Sequence, residues 1–455
     1  MALDDMPMRA PRARKPATDE SISQDSIAAA FADKHEAFLR YCHSTGAWFR
    51  WTGTHWKQDT ERLAFNHVRE LSRRATTNSR PGEQRSVRSA QFASGVERFA
   101  QADPRLAATS EFWDCDIWLL GTPDGTVDLR TGLLRPALSA EGITRLTAVS
   151  PATDEKCPVW KQFLWEATDG DECLIRFLQQ WVGYSLTGDI REQSLAFAHG
   201  DGGNGKGTFI NTIAAIFGAY AVTAAMDTFT ASKFTKHSTD LAMLKGARMV
   251  NASETEEGHA WAEGRIKNIT GGDPITARFM RRDNFTYIPQ FKLFIIGNHK
   301  PVLKNIDNAV RRRFNIIPFT VKPATVDKML PEKLRAEWPA ILRWAINGCL
   351  DWQANGLVRP QIVIDDTAAY FAEQDVFGQW LDDRCDVNKN AYWRTSATVL
   401  YLNWRDYAVA TGEEPGSLKS FSTRLEQRHF QRYRTMQNRG FDGIRIRQVE
   451  MTDDG

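Results

Sequence analysis

The chain has 455 residues, is 42% hydrophobic and 25% charged, and carries a formal net charge of +2. This is ordinary for a soluble globular protein of roughly two to four domains, and a balance so close to neutral leaves recognition of any polyanion to local patches. No apolar run approaches the about 20 residues of a membrane span, and six scattered cysteines with no Cys-x-x-Cys pair argue against zinc or a disulfide framework and for a reducing, intracellular setting.

Residues 1–25 are polar, hold Arg9, Arg12, Arg14 and Lys15 without an apolar core, and read as a disordered tail rather than a secretory signal. Phe31, Phe38, Leu39 and Tyr41 predict a helix over 31–41. Trp48–Trp51 and Trp56 around Thr52-Gly53-Thr54 predict an aromatic hairpin. A helix follows over 61–74, then a polar stretch, 76–88. Pro123-Asp124-Gly125 and Thr131-Gly132 are turn signals between short strands. Residues 26–155 thus form an N-terminal α+β domain with no catalytic or metal-binding constellation. Helices over 158–187 (Trp160, Phe163, Leu174, Phe177, Trp181) lead into the next region.

Leu195–Ala198 is a short buried strand, Gly200-Asp201-Gly202-Gly203-Asn204-Gly205-Lys206-Gly207 a glycine-rich loop, and Thr208–Phe217 a helix. Strand, Gly-rich loop ending in Gly-Lys, and helix make a phosphate-binding P-loop: backbone N–H groups form an anion nest, the helix N-terminus adds positive charge, and Lys206 reaches the outer phosphates of ATP. The residue after the lysine is Gly207 rather than the usual Ser/Thr, so either Thr208 or water serves Mg²⁺. Ala247–Ala252 reads as a strand ending in Ser253-Glu254-Thr255-Glu256-Glu257. An acid at such a strand end holds the metal or activates water; Glu254 is the first candidate and Glu256 the second. Phe291–Ile296 is a strand ending at Asn298, a sensor candidate for the γ-phosphate. Arg311-Arg312-Arg313 precedes Ile316-Ile317-Pro318, and arginines of this kind stabilise transition-state charge.

In order, Gly-Asp-Gly-Gly-Asn-Gly-Lys-Gly-Thr (200–208), Ala-Ser-Glu-Thr-Glu-Glu-Gly (252–258), Ile-Lys-Asn-Ile-Thr-Gly-Gly-Asp-Pro-Ile-Thr-Ala-Arg (266–278), Gly-Asn-His-Lys-Pro (297–301) and Arg312-Arg313 resemble the superfamily III helicases, within the AAA+ ATPases. The phage and plasmid primase–helicase group, itself similar to the poxvirus helicase-primase, matches best, and 122–132 is similar to that group's N-terminal region. The resemblance implies an α/β AAA+ P-loop core over 156–325. It also implies a ring, usually a hexamer, with nucleotide sites between subunits, Arg312 and Arg313 as finger candidates, ATP-driven translocation on single-stranded DNA at forked duplexes, and a bacterial host cytoplasm. No primase signature is present, so a separate primase or replication partner is expected. Ser253 stands where a first acid often precedes Glu254.

Two regions face DNA. Thr276–Met280 and Phe285–Ile288 flank Arg281-Arg282-Asp283-Asn284 and predict a hairpin whose arginines grip phosphates, with Lys267 on the preceding helix as a further candidate. After a helical connector, 326–370, residues 371–455 predict a winged-helix-like module: helices near 377–381, 397–404 and 421–425, and a wing pairing 434–437 with 444–447. Residues 417–447 hold eight Lys/Arg against two acids. Arg445 and Arg447 are the DNA candidates there, and docking of a protein partner is the alternative. The leading functional expectation is a replicative helicase. An assembly or loading factor without strand displacement, or a DNA-binding protein with a degenerate ATPase site, are the alternatives.

Overall fold

The computed structural model describes residues 22–231, 239–254, 260–280, 283–303, 307–323, 325–389, 391–435 and 438–447. They divide into two compact units: one runs through Cys115 and takes in Ala137–Arg145, and the other holds Asp116–Pro136 and the chain from Leu146.

The first unit opens with α1 (Gln24–His35), capped by the Ser23 hydroxyl, which accepts from Ser26 N. The helix therefore starts inside the expected tail and ends six residues before Tyr41. The chain then turns into β1 (Leu39–Cys42), β2 (Ala47–Trp51) and β3 (Trp56–Gln58), with Trp51 opposite Trp56. Next come α2 (Leu63–Ala75), α3 (Pro81–Val87), α4 (Ala90–Ala102) and β4 (Ala107–Ala108), the last pairing in parallel with β1. The polar stretch 76–88 thus holds a helix, with Pro81 in the first turn where a missing N–H is harmless. Helix α4 buries only Ala93, Val96 and Ala100, a stripe too small to stand out as a hydrophobic period. Phe31, Val68 and Val96 join α1, α2 and α4 in one core. The return segment is tied in by Trp56, whose indole donates to Ser139 O at 2.7 Å and whose N–H donates to Ile143 O.

The second unit begins with a meander, β5 (Leu119–Thr122), β6 (Gly125–Asp128) and β7 (Leu133–Arg135). Leu120, Val127 and Leu129 share a core with Trp160, Phe177 and Ile346. The meander therefore belongs with this unit rather than with the region expected to end at residue 155. Then follow α5 (Pro158–Ala167), α6 (Glu172–Leu186), β8 (Leu195–His199), α7 (Lys206–Phe217), β9 (Ala221–Thr223), α8 (Thr239–Ala242), β10 (Met249–Glu254) and α9 (Glu263–Gly271). The run continues through β11 (Ile275–Ala277), β12 (Phe285–Tyr287), β13 (Lys292–Gly297), α10 (Asn308–Arg311) and β14 (Phe314–Pro318).

Strands β14, β8, β13, β10 and β9 lie side by side in that order, all parallel, so in chain order the sheet reads 5-1-4-3-2. Alternation builds two cores. Ala196, Ala198, Phe294 and Ile317 face one cluster, while Leu195, Phe197, Leu293, Ile295 and Ile316 face the other. Two buried cations close the end of α6. Arg248 donates to Leu186 O and Leu119 O at 2.6 Å each, and Lys292 donates to Thr187 O and Asp189 O; Leu186 O and Thr187 O are carbonyls at the end of the helix. Burial holds the Lys292 ammonium well below its ordinary pKa.

Helices α11 (Leu330–Ala336), α12 (Trp338–Asn355) and α13 (Gln361–Gln374) are not a free connector. Ile341 and Trp344 complete the first core, and Tyr370 and Phe371 sit in the second. The C-terminal module comprises α14 (Val376–Arg384), β15 (Cys385–Val387), β16 (Arg394–Ser396), α15 (Ala397–Ala410), α16 (Leu418–Gln427), β17 (Arg432–Arg434), β18 (Arg439–Asp442) and β19 (Ile444–Ile446) around Phe377, Trp380, Trp404 and Phe421. Its hairpin differs from the expected one. β18 pairs with β17 and β16, whereas β19 pairs with β15. Gly443, at φ +75°, turns the chain out of one sheet and into the other.

Candidate functional site

The C-terminal edge of the parallel sheet gathers the polar residues. Across it, Glu254, Gly297, His199 and Pro318 lie in one register row. The glycine-rich loop leaves β8 at Gly200, whose φ of +149° suits glycine, and a Cβ there would stand 2.0 Å from Phe319 O. The loop delivers α7 with Gly205 at the N-cap and no side-chain cap, so its first N–H groups point into the loop unpaired by any capping side chain. Lys206 opens this helix and is buried. Its Nζ donates to Gly200 O, to Asn204 Oδ1 at 3.0 Å and to Asn298 Oδ1 at 3.4 Å. Asn204 is itself buried and donates to Phe319 O, so it braces the lysine against the exit of β14. Burial lowers the Lys206 pKa, and Asp201 opposes the shift.

A cleft of about 370 Å³ runs over this loop, lined by Gly202, Gly203, Lys206, Thr208, Ser253 and Asn298 among others. A second, of about 850 Å³, opens beside it with apolar walls from Pro158, Phe163, Val326 and Pro331, and with Gln162 and Glu166 at its edge. Gly205 and Thr208 line both. The arrangement is an anion cradle continuous with an apolar slot, chemistry suited to a polyphosphate joined to a flat ring. Among the described residues no three His, Cys, Asp or Glu side chains converge as a metal cage. A Mg²⁺ held largely by phosphates and water needs none, and the Thr208 side chain, which carries a hydroxyl, lines this cleft.

The remaining expected site residues separate. Glu254 ends β10 beside Gly297, while its side chain, Glu256, Arg281 and Arg282 lie outside the described residues. Arg313 is buried, donating from Nε to Thr270 Oγ1 at 3.0 Å and from Nη1 to Ala309 O, so it pins α9 to the start of β14 instead of reaching outward. Arg312 is exposed. Lys267 is ion-paired with Asp307 at 2.5 Å. Arg445 and Arg447 both bind Asp386, Arg445 also covers the Trp393 ring, and Arg447 donates to three carbonyls, so Arg445 knits β19 to β15 and Arg447, just past β19, is held on the end of α14 and on β15. The sequence reading missed two features. His199 Nε2 donates to Asp366 of α13 at 2.7 Å, tying that helix to β8. The apolar slot is assembled from α5, α11 and the segment between β14 and α11, and no local pattern announces it.

Residues 28–169 match the family described as "D5 N terminal like", and residues 198–313 match a family of unknown function, DUF5906. The chain is 26% identical over 326 residues to "Putative helicase L207/L206" of Acanthamoeba polyphaga mimivirus, covering 66% of this chain and 34% of that protein. It is 27% identical over 283 residues to "Putative helicase 022R" of Frog virus 3, covering 56% and 29%. The chain thus spans about a third of the curated relatives it matches. In three dimensions it resembles the apo structure of the NrS-1 C-terminal region, at a TM-score of 0.51 and 10% identity over 94% of this chain and 100% of that one. The likeness in three dimensions is one of fold, a mixed α/β protein, and the sequence relatives are viral proteins that carry the name "Putative helicase". Over the matched regions the chain is similar to the primase–helicase group that includes the poxvirus D5 type. The two relatives come from viruses of an amoeba and a frog, so the expected bacterial host draws no support from them. Among the described residues no helix is long and apolar enough to cross a membrane.

Proposed function

We propose that the chain is an ATP-dependent DNA helicase of the superfamily III type, with an AAA+ core, acting as a homo-oligomeric ring on single-stranded DNA at a replication fork. The observation that carries this reading is the meeting of Lys206 Nζ and Asn298 Oδ1, 3.4 Å apart over the glycine-rich loop, at the C-terminal edge of a 5-1-4-3-2 parallel sheet. In this reading the β- and γ-phosphates replace Gly200 O and Asn204 Oδ1 as partners of Lys206, and the N–H groups at the start of α7 bind the same oxygens. The apolar slot beside Phe163 takes the base. Asn298 orients the attacking water, and Glu254 accepts its proton. Mg²⁺, when bound, supplies positive charge to the phosphates, with Thr208 and Glu254 as its protein partners. Arg312, exposed, is the finger offered to a neighbouring subunit, and the C-terminal module is read as winged-helix-like.

Lys206→Ala is expected to abolish ATP hydrolysis and weaken nucleotide binding, while Glu254→Gln keeps binding and loses hydrolysis by roughly a hundredfold or more. Both are read by a phosphate-release assay beside a fluorescent-nucleotide titration. Near-normal turnover in Lys206→Ala sinks the assignment. Strand displacement on a forked duplex then separates a helicase from a loading factor, which hydrolyses ATP and displaces nothing.

A further inference from the structure

The C-terminal module carries a groove of about 1070 Å³ between the first turns of α15 and α16 and the β17–β18 hairpin. Most basic side chains of the module are already matched: Arg394 with Asp442, Arg432 with Glu426, and Arg445 and Arg447 with Asp386. Lys419, Arg434 and Arg439 line the groove, are exposed, and have no acidic partner among the described residues. The groove lining itself holds no carboxylate among them.

Arg434 and Arg439 are direct partners across the antiparallel pair. Like charges placed opposite each other destabilise a hairpin, and an anion between them turns that repulsion into attraction. The groove offers hydroxyls from Ser396 and Thr398 but no free aromatic face. The Tyr433 ring lies under Arg394, 5.3 Å from guanidinium to centroid, and Phe441 is buried. Single-strand sites lean on stacking platforms. Unpaired cations with hydroxyls and no free ring suit a regular row of phosphates instead. We propose that this groove binds the phosphate backbone of duplex DNA, a site separate from the nucleotide cleft and from the β11–β12 hairpin.

The test uses the full chain without nucleotide. Fluorescence anisotropy is measured on a labelled blunt duplex and on a single strand of equal length, across a salt series. The triple variant K419A/R434A/R439A is expected to bind duplex roughly tenfold to a hundredfold more weakly. Its plot of log affinity against log salt should be shallower by about 2–3, near 0.9 for each phosphate no longer neutralised, with single-strand binding kept. The charge-preserving K419R/R434K/R439K should retain the wild-type slope. Arg405→Ala, outside the groove, is the control. If the triple variant fails to fold by circular dichroism, Arg439→Gln alone should lower the slope by about 1. Undiminished duplex binding in a folded variant overturns the proposal, and that is the result a protein-docking groove gives. An equal loss on the single strand overturns it too. Because no nucleotide is present, either failure leaves the ATPase reading standing.

Discussion

Gly207 lacks a hydroxyl by identity and not for want of room: a Cβ there meets nothing within 4 Å. Thr208, one residue on, lines the cleft and carries a hydroxyl, as does Ser253 on the strand end. Gly207→Ser is therefore expected to fold with an unchanged or slightly higher melting temperature, since glycine within a helix costs about 0.5–1 kcal/mol. In the proposed ATPase it should lower the Mg²⁺ concentration giving half-maximal hydrolysis. An unchanged Mg²⁺ curve means that a hydroxyl at 207 adds nothing to the metal's partners. The arginine run divides the same way. Arg312 and Arg313 are adjacent in sequence, yet one is exposed and the other is held inside on Thr270.

Between elements, the contact of α1 with α2 contains a pH-sensitive group. His35 is 2% exposed, stacks on His67 with ring centroids 4.6 Å apart, and has no hydrogen-bond partner on either ring nitrogen among the described residues. Burial first, and then the neighbouring His67 charge, push its pKa down to about 4. The unfolded chain takes up this proton near pH 6.5 and the folded chain only near 4. Between those values the unfolded state binds more protons, so stability falls as pH drops. The expected loss is about 1–3 kcal/mol from about pH 7 to about pH 4.5, seen as a falling melting temperature of the first unit. His35→Phe should flatten that dependence. An equally steep fall in the variant places the acid sensitivity elsewhere.

At the scale of the whole molecule, the proposed ring makes Arg312 act on a neighbour's nucleotide. Arg312→Ala and Lys206→Ala should each lose ATPase activity alone. Mixed, they should recover part of it, because some interfaces pair an intact loop with an intact arginine. The check is ATPase activity over mixing ratios, with assembly followed by light scattering. No recovery, with mixed rings shown to form, would mean that Arg312 serves its own subunit or none. Arg313→Ala should behave differently from Arg312→Ala. Removing its hydrogen bonds to Thr270 and Ala309 is expected to cost about 1–3 kcal/mol of stability, whereas Arg312→Ala should leave melting unchanged.

What is local in physics was readable from the residues. The strand, Gly-rich loop and helix at 195–217 declare themselves, because glycine at Gly200 and the apolar period after Lys206 act within a few residues of chain. So did the strands ending at Glu254 and before Asn298, and the aromatic pairing of Trp51 with Trp56. Parallel order was decided only in three dimensions, since neighbouring strands such as β8 and β14 are more than a hundred residues apart. The same holds for which cations are spoken for. Lys267, Arg313, Arg445 and Arg447 look as free in sequence as Lys419, Arg434 and Arg439, and only folding brings Asp307, Thr270 and Asp386 to the first group. A charge run specifies its own sign, but whether that charge remains available depends on partners that tertiary contacts alone can supply.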